Sequence, residues 1–269
     1  MGILTARTRD EIAAIVSKAR QDGQTIGFVP TMGALHAGHL SLVKLALEKC
    51  DFVVVSIFVN PTQFAPHEDF DRYPRMPEAD SLMLAEAGAS CVFLPDEAVI
   101  YPDGKDCAVK AGAAAKGLET DFRPHFFDGV VNVVSRLFDL VKPDAAVFGQ
   151  KDFQQLQVIR EMVEALGLSI EIVGAPIARD ESGLALSSRN AYLSSEELSV
   201  ARRLNKVLLD AVQALRAGED QDEVMAEAAQ ALVSNGFEKV DYVRFKPEWQ
   251  RVLAAAWLGK TRLIDNMGL

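Results

Sequence analysis

His36 and His39 stand three residues apart, with Gly38 between them and Pro30 and Gly33 just ahead. At the start of a helix that spacing puts both imidazoles on one side, and each ring can donate a hydrogen bond to a phosphate oxygen. The glycines allow a tight turn with open amides, and a helix N-terminus adds unpaired N–H groups and the positive end of the macrodipole. The expectation is a phosphate site whose loop amides and imidazoles both face the anion. Two histidines also make half of a metal site, but no further His or Cys lies nearby and a Gly-rich bend is a poor frame for a tetrahedral cage.

Four other groups have chemical potential. Lys151 follows Gly149 and Gln150 at a turn where its ammonium can meet a phosphate, while Asp152 with Gln155 three residues later also reads as a capping arrangement. Ser187, Ser188 and Arg189 follow Gly183 in a polar loop. Two hydroxyls and a guanidinium fork suit the β- and γ-phosphates of a nucleotide, although the same trio occurs in many surface loops. Asn60 and Gln63 close an apolar run, and their amides can donate to a carboxylate and accept from a hydroxyl without adding charge; Asn60-Pro61 also reads as a simple turn. Arg123 precedes a helical pattern and either reaches a phosphate or is an ordinary surface arginine.

The elements that position these residues alternate. Residues 25 to 29 read as a strand, Leu40, Val43 and Leu47 as a helix face and residues 51 to 59 as a second buried strand, the length of a parallel crossover. Before them, Thr8 and Glu11 form a capping box for an amphipathic helix ending near Gly23. After them come a helix over 77 to 87, a strand over 90 to 94, a short helix over 111 to 115, a helix over 129 to 141, a strand over 144 to 148, a long helix after 152 and a strand over 170 to 173. Beyond about 175 the alternation gives way to helices over 195 to 217, the first capped by Ser194 and Glu197, and over 221 to 234. A strand over 239 to 245, an ambiguous apolar run over 249 to 258 and a closing strand over 261 to 266 complete the chain. The alternation reads as an α/β fold with a parallel-sheet domain over 1–175 and a smaller α+β C-terminal domain over 176–269.

Composition narrows the partners. The chain has 269 residues, 49% of them hydrophobic, and a formal net charge of -10, which argues against nucleic acid or an anionic membrane surface. Any anion site must be built locally. Cys50, Cys91 and Cys107 show no C-x-x-C spacing, so neither a disulfide framework nor a zinc ribbon is indicated, and a reducing cytoplasm fits. There is no secretory-signal pattern, and no apolar run approaches the roughly 18 residues of a membrane span.

Taken together the motifs resemble those of the pantothenate synthetases, the pantoate-β-alanine ligases of the H-x-G-H nucleotidyltransferase superfamily. The matching segments are Pro30-Thr31-Met32-Gly33-Ala34-Leu35-His36-Ala37-Gly38-His39, Phe58-Val59-Asn60-Pro61-Thr62-Gln63-Phe64, Arg72-Tyr73-Pro74-Arg75, Phe148-Gly149-Gln150-Lys151-Asp152-Phe153-Gln154-Gln155-Leu156, Leu184-Ala185-Leu186-Ser187-Ser188-Arg189-Asn190 and Arg262-Leu263-Ile264-Asp265-Asn266. They run in family order over nearly the whole chain. The resemblance implies condensation of pantoate with β-alanine, dependent on ATP and Mg2+, through a pantoyl adenylate, in a homodimer whose first domain is Rossmann-like and whose smaller domain closes over ATP.

Carried over residue by residue, Met32, Gly33, Ala34, Leu35, His36, Ala37, Gly38 and His39 would line the ATP site. His39 would be the proton donor, with His36 beside it on the phosphates. Gly149, Gln150, Lys151, Asp152, Ala178 through its backbone, Leu186, Ser187, Ser188 and Arg189 would complete the nucleotide site. His36, His39, Lys151 and Arg189 would be the donors that stabilise the reacting triphosphate. Gln63 and Gln155 would hold pantoate, with Asn60 a further substrate contact and Met32 and Phe64 packing its methyls; Asp80 aligns with an acidic position near the metal.

Two departures from the family pattern stand out: Arg123-Pro124-His125-Phe126-Phe127 where Arg-Pro-Gly-His-Phe is common, and Asn132 where Thr is common. They imply a change in loop shape rather than loss of activity. Two other functions share the H-x-G-H turn: a nucleotidyltransferase that stops at an adenylated or cytidylated product, against which the paired glutamines count, and a non-catalytic nucleotide-binding module, against which the full set of phosphate donors counts.

Overall fold

Valine-rich segments flanked by amphipathic helices require a sheet buried on both faces, and such sheets are parallel. The computed structural model describes residues 2–64, 70–106 and 109–269. By internal packing the chain divides into residues up to Gln150 with Gln154–Pro176, and Lys151–Phe153 with Ile177–Leu269.

The first unit runs β1 (Leu4–Ala6), α1 (Arg9–Gln21), β2 (Ile26–Thr31), α2 (Ala37–Lys49), β3 (Phe52–Ile57), α3 (Pro77–Glu86), β4 (Cys91–Phe93), α4 (Glu97–Ile100), α5 (Glu119–Phe122), α6 (Phe126–Val141), β5 (Ala145–Gly149), α7 (Phe153–Ala165) and β6 (Glu171–Ala175). Its six strands pair in parallel in the order β1-β4-β3-β2-β5-β6. From β2 the chain builds outward through β3 and β4, then crosses back to set β5 on the other side of β2. That reversal is a topological switch point, where the loops after neighbouring strands part and leave a crevice at the carboxyl edge. The turns at 32–36 and 150–152 leave β2 and β5 there.

Val53, Val54 and Val55 have no exposed surface. One face of the sheet packs Val29, Val53 and Val55 with Val43 and Ala46 of α2 and Leu84 of α3. The alternate residues point the other way: Phe28 of β2 meets Phe138 of α6 edge-on at 6.2 Å, and Phe138 meets Phe148 of β5 at 6.4 Å. Asn132 fits this scaffold by donating to the Lys105 carbonyl (3.1 Å) and accepting from Arg136 Nε (2.9 Å).

The second unit holds α8 (Ser195–Ala201), α9 (Arg203–Ala217), α10 (Gln221–Ser234) and an antiparallel sheet of β7 (Lys239–Lys246), β8 (Arg251–Leu258) and β9 (Thr261–Gly268), with β8 central. Leu204, Leu208, Met225 and Leu232 of the helices bury against Val243, Val252, Ala254 and Leu263.

Both capping boxes form, at Thr8 with Glu11 and at Ser194 with Glu197. The differences lie in short or uniform segments. β1 is a three-residue edge strand paired only with β4, too short to show a period. Residues 111 to 115 hold only a 3-10 turn at Ala113–Ala115, α6 starts at Phe126 rather than 129, and the helix expected over 195 to 217 divides at Arg202. The ambiguous run becomes β8, whose position between two strands lets both faces be apolar.

Cys50 and Cys91 are buried free thiols, whereas Cys107 lies outside the described residues. Burial pushes the Cys91 thiol up to about 12. No described helix is long and apolar enough to cross a membrane.

Candidate active site

Thr31 ends β2 by donating its hydroxyl to the Ser56 carbonyl (2.8 Å) and accepting from the Gly33 amide (3.2 Å). Gly33 then takes φ +81, and a Cβ there would lie 2.9 Å from Ile57 Cγ2 and 3.0 Å from Asp80 Oδ2. Ala34 follows at φ +51, a left-handed conformation that disfavours a side chain by roughly 1–2 kcal/mol. The compensating contact is Asp80: Ala34 N donates to Oδ2 (3.0 Å) and Leu35 N to Oδ1 (2.9 Å), with the residue 1% exposed. Asp80 lies in the first turn of α3, where the helix dipole favours a carboxylate.

At the far end of the turn the two histidines cap α2 reciprocally. Gly38 N donates to His36 Nδ1 at 3.1 Å, His36 N donates to His39 Nδ1 at 3.3 Å, and the ring centroids are 4.1 Å apart. This is a capping box with imidazoles in place of the usual hydroxyl and carboxylate. An amide can only donate, so Nδ1 of each ring accepts and the ring proton is carried on Nε2.

The turn therefore corrects the open-amide expectation. The amides of Gly33, Ala34, Leu35, His36, Gly38 and His39 all donate within the protein. Glycine freedom and the helix start are used to close the loop on itself. Asp80, expected near a metal, is here a buried acceptor for two turn amides. Among the described residues no group of three or more His, Cys, Asp or Glu side chains is arranged to hold a metal ion.

Asn60, expected as a substrate contact, is built into the framework of its own turn. It is 1% exposed; its Nδ2 donates to Gln63 Oε1 and the Gly129 carbonyl (both 3.2 Å), and its Oδ1 accepts from Thr62 N, Thr62 Oγ1 and Tyr101 Oη (3.2, 3.0 and 2.7 Å). The result is a fixed Gln63, whose Nε2 sits 3.0 Å from Met32 Sδ. Two residues expected at the pantoate site are thus brought together at the ends of adjacent strands. On α7, Gln154 is 3% exposed and ties down the Ala114 and Gly117 carbonyls and the Glu119 amide, whereas its neighbour Gln155 has no side-chain partner among the described residues.

After β5, Gln150 turns its amide onto the Gly174 carbonyl of β6 (3.1 Å). Lys151 and exposed Asp152 complete a 3-10 turn. In the second unit Leu186 N donates to the Ala178 carbonyl (2.9 Å), which sets these two expected contacts side by side. Ser187 caps the 3-10 turn Ser188–Tyr192 by accepting from Arg189 N (3.3 Å). A cap accepts through its oxygen, so the Ser187 hydroxyl proton stays available to a ligand.

Arg123 takes neither expected role: its guanidinium lies 3.8 Å over the Phe126 ring and donates to the Gln63 carbonyl (3.2 Å). At Gly129 a Cβ would fall 2.5 Å from the Thr62 carbonyl oxygen, so α6 presses directly on the same turn. These supports escape sequence reading because their partners lie 60 or more residues away. A cavity of about 350 Å³ beside Met32, Gly33, Phe58, Arg75 and Asp80 lies at this edge, but His36, His39, Gln63 and Gln155 do not line it.

Known proteins resemble this chain over nearly its whole length. Residues 4–268 match the family model for pantoate-beta-alanine ligase. The pantothenate synthetase of Mesorhizobium japonicum is 53% identical over 266 residues, covering 95% of this chain and 94% of its own. The crystal structure of the Thermus thermophilus pantothenate synthetase superposes with a TM-score of 0.92 at 41% identity, covering 98% of this chain and 99% of that one. The pantoate-beta-alanine ligase of Francisella tularensis, complexed with beta-gamma ATP and beta-alanine, superposes at 0.87 with 36% identity over 99% of this chain and 97% of that one.

Proposed function

The chain belongs to the pantoate-β-alanine ligase family, and on that premise we propose how its residues divide the reaction. It is an ATP-dependent ligase that joins pantoate to β-alanine to give pantothenate. The observation that carries the assignment of roles is the imidazole capping box at the carboxyl end of β2, beside the Gln63 and Met32 pair.

In the first step a pantoate carboxylate oxygen bonds to the α-phosphorus of ATP while the bond to the β-phosphate bridging oxygen breaks, releasing pyrophosphate. Negative charge approaches negative charge, so the barrier falls through alignment and through donors fixed on the phosphate oxygens. His36 and His39 donate through Nε2, and Lys151, Ser187, Ser188 and Arg189 add an ammonium, hydroxyls and a guanidinium. Met32 to His39, Gly149 to Asp152, Ala178 and Leu186 shape the nucleotide site. Gln63 and Gln155 hold pantoate, and Asn60, Arg123 and Asp80 act by positioning. In the second step the β-alanine amine attacks the acyl carbon, the carbon-oxygen bond to AMP breaks and the amine loses a proton.

Mg2+ would be carried by the phosphate oxygens of ATP and would neutralise charge there, and Asp80, which the family resemblance sets near the metal, would act through the turn whose two amides it accepts. We assign ATP and pantoate binding to the domain over 1–175, apart from Lys151–Phe153, which pack with the second unit, and action on ATP to the smaller domain over 176–269; a homodimer in the cytoplasm is taken from the family resemblance and the free thiols. The test is omission of one substrate: with ATP, Mg2+ and pantoate alone the protein releases pyrophosphate, and AMP and pantothenate follow only when β-alanine is added. Pyrophosphate without an amide product on adding β-alanine would make it a nucleotidyltransferase, and no turnover a binding module.

A further inference from the structure

The C-terminal motif Arg262-Leu263-Ile264-Asp265-Asn266 has no part in the reaction described so far, yet two of its residues are deeply buried polar groups. Asp265 is 3% exposed and Asn266 2% exposed. Consecutive residues on a strand face opposite sides of the sheet, and here each side holds a segment that carries phosphate donors.

On one side Asp265 takes Arg179 in a bidentate pair, Nη1 to Oδ2 at 2.7 Å and Nη2 to Oδ1 at 2.8 Å. Arg179 also donates to the Gly183 carbonyl (2.9 Å) and bridges to Ala185, so it is the root of the hairpin that leads into Ser187, Ser188 and Arg189. The turn Ser188–Tyr192 itself packs on β9. On the other side Asn266 Nδ2 donates to the Lys151 carbonyl at 2.8 Å, while its Oδ1 accepts from Arg251 Nη1 at 2.5 Å. The Arg251 guanidinium lies 4.1 Å over the Phe153 ring, so the turn is gripped at 151 and again at 153.

We propose that Asp265 and Asn266 are positioning residues for ATP chemistry: one dipeptide of β9 sets the backbone of Lys151 and the root of the Ser187–Arg189 loop. This rests on the phosphate role given above to Lys151. Neither residue touches substrate. Their effect is geometric, and misplacing a donor by about 1 Å can lower the rate about 10²-fold.

Asn266→Asp tests this with little change in shape, since the carboxylate still accepts from Arg251 but no longer donates to Lys151. Pyrophosphate release from ATP, Mg2+ and pantoate is measured for wild type, Asn266→Asp, Lys151→Ala and the double variant, with thermal melting to count folded enzyme. The expected result is a loss of about 10- to 10²-fold in kcat for Asn266→Asp, an unchanged KM for pantoate, and no further loss when it is added to Lys151→Ala. Multiplying losses in the double variant, or a wild-type rate in Asn266→Asp, would overturn the proposal. An undiminished rate in Lys151→Ala would instead remove the phosphate role on which it rests. Should the buried carboxylate prevent folding, Asn266→Ala takes its place in the same cycle, with the same expected and contrary outcomes.

Discussion

His39 Nδ1 accepts the backbone amide of His36, 3.3 Å away, so the residue assigned to the phosphates also closes the first turn of its own helix. Each capping ring accepts through Nδ1 and carries its proton on Nε2, which makes helix capping the device that fixes the ring tautomer.

His39→Gln separates these two tasks, because glutamine is a natural partner at the third position of a capping box. The variant is expected to melt close to wild type while adenylation falls by about 10²- to 10³-fold, the loss typical of one preorganised donor. Nitrogen NMR of the wild type should find both rings with the proton on Nε2. A His39→Gln enzyme with wild-type pyrophosphate release would remove His39 from the chemistry.

Asp80→Asn leaves one oxygen for two amides and points an NH2 at the other. The destabilisation expected is about 1–3 kcal/mol, the penalty for a buried polar group left unmatched. Pyrophosphate release should slow while the Mg2+ concentration giving half the maximal rate stays where it was; a marked rise in that concentration would restore Asp80 as a metal ligand.

Gln63 and Asn60 should differ although they are hydrogen-bonded neighbours. Gln63→Ala removes a substrate hydrogen bond and is expected to raise the pantoate KM about tenfold with little effect on ATP. Asn60→Ala strips the framework under the same turn, so it should lower melting temperature as well as turnover. Equal loss of affinity for ATP and pantoate in Gln63→Ala would count against its role.

Burial pushes the Asp241 carboxyl up, but hydrogen bonds from Arg262, Lys239 and Trp257 together outweigh it and hold the group below its ordinary value. Such a carboxyl stabilises the fold fully above its unfolded value of about 3.9 and progressively less as the pH falls through its folded value. Asp241→Asn should therefore be destabilised by about 3 kcal/mol at pH 7, the scale for breaking a buried pair, and the gap should close toward acid pH. Melting curves for both proteins at several pH values check this; a gap that does not change with pH would contradict it.

Much of this was legible in the residues alone. Val53 to Val55 read as a buried parallel strand, Thr8 with Glu11 as a helix start, and Gly33 as part of a tight turn. The family motifs, read together, pointed to the ligase. What remained hidden depended on residues brought together from afar. Asp80 reaches Ala34 and Leu35, Arg123 reaches Gln63, and Asn266 reaches Lys151 across 115 positions, so no local period or spacing records them. The open-amide reading fails for this reason only at Ala34 and Leu35, whose acceptor Asp80 comes from another helix; the amides of Gly33, His36, Gly38 and His39 are taken by acceptors within the turn and the helix start itself.

The central claim, that a pantoate carboxylate oxygen attacks the α-phosphorus of ATP, is tested most directly by isotope transfer. Pantoate labelled with 18O in its carboxylate is converted with ATP, Mg2+ and β-alanine, and the products are read by mass spectrometry. The account predicts AMP carrying one 18O and pantothenate retaining the other. Unlabelled AMP, or ADP and phosphate in place of AMP and pyrophosphate, would contradict it.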